Sequence, residues 1–178
     1  MQRRLFLQSA GASLTALLAR QRKVFAAARL DRIGLELYAV RGAMRADPNR
    51  TLATIRSIGY TDVELLWQFK NFDQTPQQVR AALDREGLRA PSGHIAPEVI
   101  VDTDGWQRTL DTAKELGQQY LIVPSLTSET RTSIDAWRRW ADRFNVAGQT
   151  ARSAGIWLAF HNDQGHMKPI GTPAQIPY

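Results

Sequence analysis

Three histidines are the side chains of this 178-residue chain best suited to acid–base or metal chemistry, and each comes at or just after the C-terminal end of a predicted β-strand. His94 ends one strand, and His161 and His166 follow another. Two imidazoles and Asp163 within six residues can bind a metal ion or move a proton near neutral pH. This spacing predicts a metal or acid–base cluster, whereas His94 alone is equally consistent with a hydrogen-bonded structural residue.

Glu64 and the aromatic residues after it form a second candidate group. Glu64 lies inside the apolar run 61–66, where a carboxylate is costly to bury unless it is paired. It is therefore predicted either to be a catalytic carboxylate or to form a salt bridge with an arginine inside the fold. Trp67 and Phe69 lie just past the end of this run and could stack on a sugar ring, although aromatic residues in such positions also serve as packing.

The elements that must position these residues are five β-type runs that alternate with four amphipathic stretches. Each amphipathic stretch has apolar residues at helical spacing and is closed by a glycine, which tolerates the left-handed conformation at a helix end. Strands that alternate with helices form a parallel sheet, and ligand sites gather where its strands end. The predicted strands are 33–38, 61–66, 88–94, 120–123 and 156–160, and the predicted helices are 47–59, 75–87, 102–116 and 134–154.

Two architectures fit this pattern. An open doubly wound sheet would close with five strands and bind its ligand at a topological switch point. A (β/α)8 barrel needs about 200 residues or more, and about 150 remain after residues 1–28. No GxGxxG and no GxxxxGK[ST] motif follows any predicted strand, which counts against a nucleotide-binding open sheet without establishing a barrel.

The basic character of the chain is confined to its N-terminus. The net charge is +6, but residues 1–28 hold five basic residues and no acidic one, which leaves 18 basic and 17 acidic residues in the remainder. A body with a net charge of +1 does not predict nucleic-acid binding. The absence of cysteine excludes disulfides, thiolate zinc sites and cysteine nucleophiles.

Residues 1–28 are predicted to be a twin-arginine-type signal peptide. Arg3 and Arg4 precede a mildly apolar stretch, and the alanines at 26–28 offer a cleavage site near Ala28. We therefore expect a periplasmic or otherwise exported protein whose remaining domain is 29–178. The alternative is a basic amphipathic helix that stays attached and lies on a membrane surface.

Four segments resemble, in order and spacing, the N-terminal part of the sugar phosphate isomerase/epimerase family. They read IGYTDVELLWQF, TPQQVRAALDREGLRAPSGHI, AKELGQQYLIVPSL and AGIWLAFHNDQGHMKPIG. The resemblance implies an α/β fold, a parallel barrel of the xylose isomerase-like TIM type, of which 29–178 supplies about the first five β/α units. Relatives continue into strands six to eight, so it also implies a C-terminally truncated domain whose open strand edges need a partner, such as a second copy of the chain.

This resemblance implies a metal-dependent isomerase or epimerase that moves a proton next to the carbonyl of a sugar or sugar derivative. Glu64 and His161 are then expected to be catalytic, and His94, Trp67 and Asn162 to bind the small-molecule sugar substrate. The expected cofactor is a divalent metal ion (Mn, Mg, Co or Zn) at the mouth of the barrel.

Relatives typically read YHNHDFEFKP after the fifth strand, and two of the departures from this pattern matter for the chemistry. Asp163 replaces the second histidine, and His166 replaces the glutamate. His166 is therefore expected to be a metal ligand, and a histidine at this position favours zinc over magnesium.

The family's later strands supply an aspartate, a histidine and a glutamate for the metal and the reaction, so activity is expected to be impaired. The alternatives are a non-catalytic carbohydrate-binding or assembly subunit, in which Trp67, Phe69 and His94 bind a sugar without turnover, and an inactive fragment.

Overall fold

The computed structural model describes residues 30–67, 70–162, 164–171 and 173–176. The chain separates into two compact units, Met1–Asp31 and Arg32–Tyr178, and every element named below belongs to the second unit. The predicted signal peptide at 1–28 lies outside the described residues, as do Phe69 and Asp163. Among the helices of the described part, none is long and apolar enough to cross a membrane.

Five parallel strands form one sheet in the order β1-β2-β3-β4-β5. A doubly wound sheet reverses its strand order at a switch point, whereas a barrel keeps the order of the sequence. The unbroken order therefore identifies the sheet as part of a (β/α) barrel, and the predicted fold class is confirmed. The strands are β1 Gly34–Glu36, β2 Asp62–Leu66, β3 Arg89–His94, β4 Tyr120–Val123 and β5 Trp157–Phe160.

The four predicted helices are present, and a short one precedes them. They are α1 Arg41–Ala46, α2 Pro48–Ile58, α3 Pro76–Glu86, α4 Thr103–Glu115 and α5 Ile134–Ser153. Besides them, Lys70–Asp73 forms a single turn whose four residues all have positive φ, so it is not a right-handed helix. Local chemistry sets their ends. Asp47 accepts a hydrogen bond from the Arg50 N–H at the start of α2, and Thr75 and Gln78 form a capping box at the start of α3.

The first strand is shorter than predicted. The sequence pattern predicts extended chain over 33–38, but β1 ends at Glu36 and Leu37–Val40 forms a 3-10 turn. The turn directs Leu37 into the core, where only 2% of the residue is exposed. Glu36 consequently lies at the C-terminal end of β1, where the strands of such a fold carry their ligand sites.

Successive side chains along a strand point to opposite faces of the sheet, and one of these faces packs against the helices. Val63 and Leu65 of β2 pack with side chains of α2 and α3, and Leu121 of β4 packs with those of α4 and α5. Trp67 is partly buried against both groups of core residues. Glu64, between Val63 and Leu65, points to the opposite face, so the helical layer supports the sheet from behind the polar residues.

Alanine substitutions at two glycines test this description of the helices. Gly148 lies inside α5, where an added Cβ would meet nothing within 4 Å, and Gly87 ends α3 with a φ of +62°. We expect Gly148→Ala to raise the free energy of unfolding by about 0.5–1 kcal/mol, because alanine favours helix. Gly87→Ala should lower it by about 1–2 kcal/mol, because a Cβ is disfavoured in the left-handed region. Urea unfolding measures both, and shifts in the same direction would contradict the assignment.

Candidate functional site on strands β1 to β3

Two carboxylates and one imidazole meet at the C-terminal ends of the first three strands. The strand register places Glu36 directly opposite Glu64 and pairs Glu64 with Ser92 of β3. His94 lies two residues beyond Ser92 and therefore on the same face. His94 Nδ1 lies 3.4 Å from Glu36 Oε1, and His94 Nε2 lies 3.0 Å from Glu64 Oε1. One ligand atom from each of the three residues lies within 4.8 Å of the others. His94 therefore bridges the two carboxylates with its two ring nitrogens.

The hydrogen bonds and charges around Glu64 lower its pKa. Burial by itself would raise the pKa of Glu64, but hydrogen bonds from His94 and Ser92, together with the charges of His94 and His161, hold this pKa below the ordinary glutamate value. The Ser92 hydroxyl donates to Glu64 Oε2 over 2.6 Å. Glu64 is consequently ionised at neutral pH, which suits a proton acceptor or a metal ligand and not a proton donor.

The facing carboxylates repel each other, and a positive charge between them would relieve the repulsion. Like charges directly opposite each other on neighbouring strands are destabilising. A neutral imidazole has only one N–H to donate, so it satisfies one carboxylate and turns a lone pair toward the other. A divalent cation that takes one His94 nitrogen would balance the charges of Glu36 and Glu64.

His161 is the second imidazole at this edge of the sheet. Its ring centroid lies 5.7 Å from that of His94, and its backbone N–H donates to the Val123 carbonyl over 3.0 Å. The residue is exposed, as is Asn162 next to it. The structure therefore brings three of the predicted site residues, Glu64, His94 and His161, to one edge, with a solvent-accessible imidazole beside a buried one.

His166 lies in a different environment from His161. It belongs to the 3-10 turn Gln164–Met167 and is only 3% exposed. Its ring packs edge-on against Trp137 and Phe160, with centroid distances of 5.4 and 5.1 Å. These are contacts of a packed side chain, and within the described ranges the metal-capable group consists of Glu36, Glu64 and His94. A metal-binding role for His166 stays a prediction.

Trp67 makes the contacts of a core residue. Its indole N–H donates to Gln118 Oε1 over 3.0 Å. A Cβ added to Gly93 would lie 2.9 Å from Trp67 Nε1 and 2.5 Å from Gln118 Nε2, so glycine is required where the indole crosses β3. The contacts favour the packing interpretation of Trp67 over sugar stacking, and its role in substrate binding stays a prediction.

Two members of the site were not selected from the sequence. Glu36 and Ser92 are the strand partners that flank Glu64 on either side in the register. The available signal was a carboxylate inside each of the first two β-type runs, together with a hydroxyl two residues before His94. Neither signal distinguishes a site residue from a solvated strand residue until the register is known.

One family of known proteins matches the sequence of this chain. The sequence profile of the xylose isomerase-like TIM barrel family matches residues 52–177, which include Glu64, His94 and His161. No curated protein matches the chain.

Solved structures share the fold at low sequence identity. A sugar phosphate isomerase/epimerase from Parabacteroides distasonis is 23% identical to this chain and superposes with a TM-score of 0.69. The match covers 84% of this chain and 57% of the Parabacteroides protein. A xylose isomerase-like TIM barrel protein from Mycobacterium smegmatis, in complex with magnesium, is 17% identical with a TM-score of 0.50, covering 72% and 54%. An L-ribulose 3-epimerase is 18% identical with a TM-score of 0.50, covering 71% and 48%. The chain thus spans about half the length of these relatives.

The lowered pKa of Glu64 makes a prediction about acid stability. A carboxylate with a lowered pKa in the folded state contributes stability that is present above its unfolded-state pKa and is lost as the pH falls through the folded-state value. In a buffer that contains a metal chelator, we expect Glu64→Gln to reduce the free energy of unfolding more at pH 7 than at about pH 3, because the ionised carboxylate that it removes is protonated at low pH. Urea unfolding at the two pH values measures the difference, with Glu98→Gln, which removes an exposed carboxylate elsewhere, as the reference. An equal loss at both pH values would contradict the account.

Proposed function

Because the chain belongs to the xylose isomerase-like TIM barrel family, we propose that it isomerises or epimerises a sugar or sugar derivative by metal-assisted proton transfer next to a carbonyl group. The observation that carries the proposal is the group Glu36, Glu64 and His94 at the C-terminal ends of parallel strands, the edge where barrels of this kind carry out chemistry. Two of the solved structures that share the fold are described as a sugar phosphate isomerase/epimerase and an L-ribulose 3-epimerase.

The donor set fits a divalent metal ion. Carboxylate oxygens suit Mg²⁺ and Mn²⁺, and imidazole nitrogen suits Zn²⁺ and other transition metals. Two carboxylates and one imidazole therefore fit Mn²⁺, Co²⁺ or Zn²⁺ better than Mg²⁺. His94 can offer one nitrogen to such an ion, beside one oxygen of Glu36 and one oxygen of Glu64. When bound, an ion of this kind polarises a carbonyl oxygen and so makes the neighbouring C–H more acidic.

His161 is the side chain that the geometry offers for moving the proton. Glu64 and His94 are engaged with each other and with Ser92 or Glu36, whereas the His161 ring is exposed beside them. Imidazole both accepts and returns a proton near neutral pH, as an isomerisation requires. Asn162 presents an exposed amide next to it, which can hydrogen-bond a sugar hydroxyl. In this proposal, Glu64 contributes its negative charge and His161 carries the proton.

Binding of Mn²⁺ tests the metal part of the proposal. We expect calorimetry to give one ion per chain, and Glu36→Gln or Glu64→Gln to weaken the affinity about 10-fold or more, because each removes a charged ligand. Glu98→Gln is the matched control and should bind as the wild type does. Retention of wild-type affinity by Glu64→Gln would place the ion elsewhere and contradict the proposal.

Exchange of a substrate C–H with solvent deuterium tests the proton transfer. Incubation of the Mn²⁺-loaded chain with aldoses and ketoses in D₂O should label the carbon next to the carbonyl, as seen by proton NMR. His161→Asn should reduce this exchange about 10²- to 10⁴-fold, the usual contribution of a general acid or base, and leave the Mn²⁺ affinity unchanged. Sugar binding without exchange in the wild type would favour a non-catalytic carbohydrate-binding subunit.

A further inference from the structure

Ser92 makes a short, directed contact with Glu64. The two residues are partners in the register of β2 and β3, and the Ser92 hydroxyl donates to Glu64 Oε2 over 2.6 Å. Ser92 is partly buried, and the Glu64 side chain is 21% exposed. A hydroxyl-to-carboxylate hydrogen bond of this length is charge-assisted and belongs to the stronger class of hydrogen bonds.

The two carboxylate oxygens of Glu64 have different partners. Oε2 is held by Ser92, and Oε1 faces His94 Nε2 at 3.0 Å. The last torsion of a glutamate side chain is broad and roughly two-fold, so one contact alone leaves the carboxylate free to turn. Two contacts on different oxygens, from two positions on β3, fix its plane.

Glu36 provides the comparison within the same site. Its side chain is 39% exposed, and its contact with His94 Nδ1 is longer, at 3.4 Å. In the part of the chain that the structure describes, no hydroxyl holds the other oxygen of Glu36. One carboxylate of the site is therefore fixed, and the other retains freedom to adjust.

From this geometry we infer that Ser92 is a positioning residue: it holds Oε2 of Glu64 so that Oε1 is directed at His94 and at the cation site. The inference rests on the proposed function for the cation and on the described contacts for the orientation. Partners that orient metal ligands typically change metal affinity 10- to 100-fold when they are removed. The effect expected here has that size.

The test compares three changes that remove or keep the donor. Ser92→Ala should weaken Mn²⁺ binding about 10- to 100-fold, whereas Ser92→Thr, which keeps a hydroxyl, should retain most of the affinity. Ser153→Ala makes the same chemical change at an exposed serine whose hydroxyl donates to the Gln149 carbonyl of α5, and it should behave as the wild type does. Ser92→Cys, close in size and a weak donor, replaces the alanine variant if that variant does not fold.

A second readout needs no metal. Carbon NMR of the metal-free chain follows the titration of the Glu64 carboxyl group, which should move to higher pH in Ser92→Ala and remain near the wild-type position in Ser92→Thr. A wild type that binds no Mn²⁺ overturns the proposed function, and this titration then decides the role of Ser92. Wild-type affinity and an unchanged titration in Ser92→Ala would overturn the inference, as would equal losses in the alanine and threonine variants.

Discussion

The carboxylates of Glu36 and Glu64 lie opposite each other on neighbouring strands, where like charges repel unless a group between them compensates. His94 occupies that place, with one ring nitrogen toward each carboxylate. The arrangement depends on register, because a shift of β3 by one residue would turn the imidazole to the helical face. The functional interpretation of the chain follows from this one electrostatic constraint.

The rest of the described structure keeps that register. The helices α2 to α5 bury the apolar side chains of the strands on the face away from the carboxylates. On that face Trp67 crosses Gly93 and donates to Gln118, which ties the end of β2 to the chain that leads into β4. A packed apolar layer behind the sheet is thus the reason that three polar side chains can be held close together in front of it.

The sequence predicts the order and type of the elements well, because apolar runs and glycine-terminated helices are local signals. It misses the early end of β1, since the turn there depends on burial of Leu37 in a core that forms from distant residues. Glu64 and His94 were identifiable as unusual residues in strands, but their pairing with Glu36 and Ser92 is a property of cross-strand register. His161 and His166, five residues apart, contact different partners, His94 in one case and Trp137 and Phe160 in the other.

The position of a bound ion tests the central claim most directly. Crystals grown with Mn²⁺ would show it by anomalous scattering. The account predicts a single strong peak about 2–2.5 Å from an oxygen of Glu36, an oxygen of Glu64 and one nitrogen of His94. A peak beside His166, or an ordered site in which His94 still bridges both carboxylates and no ion is bound, would contradict it.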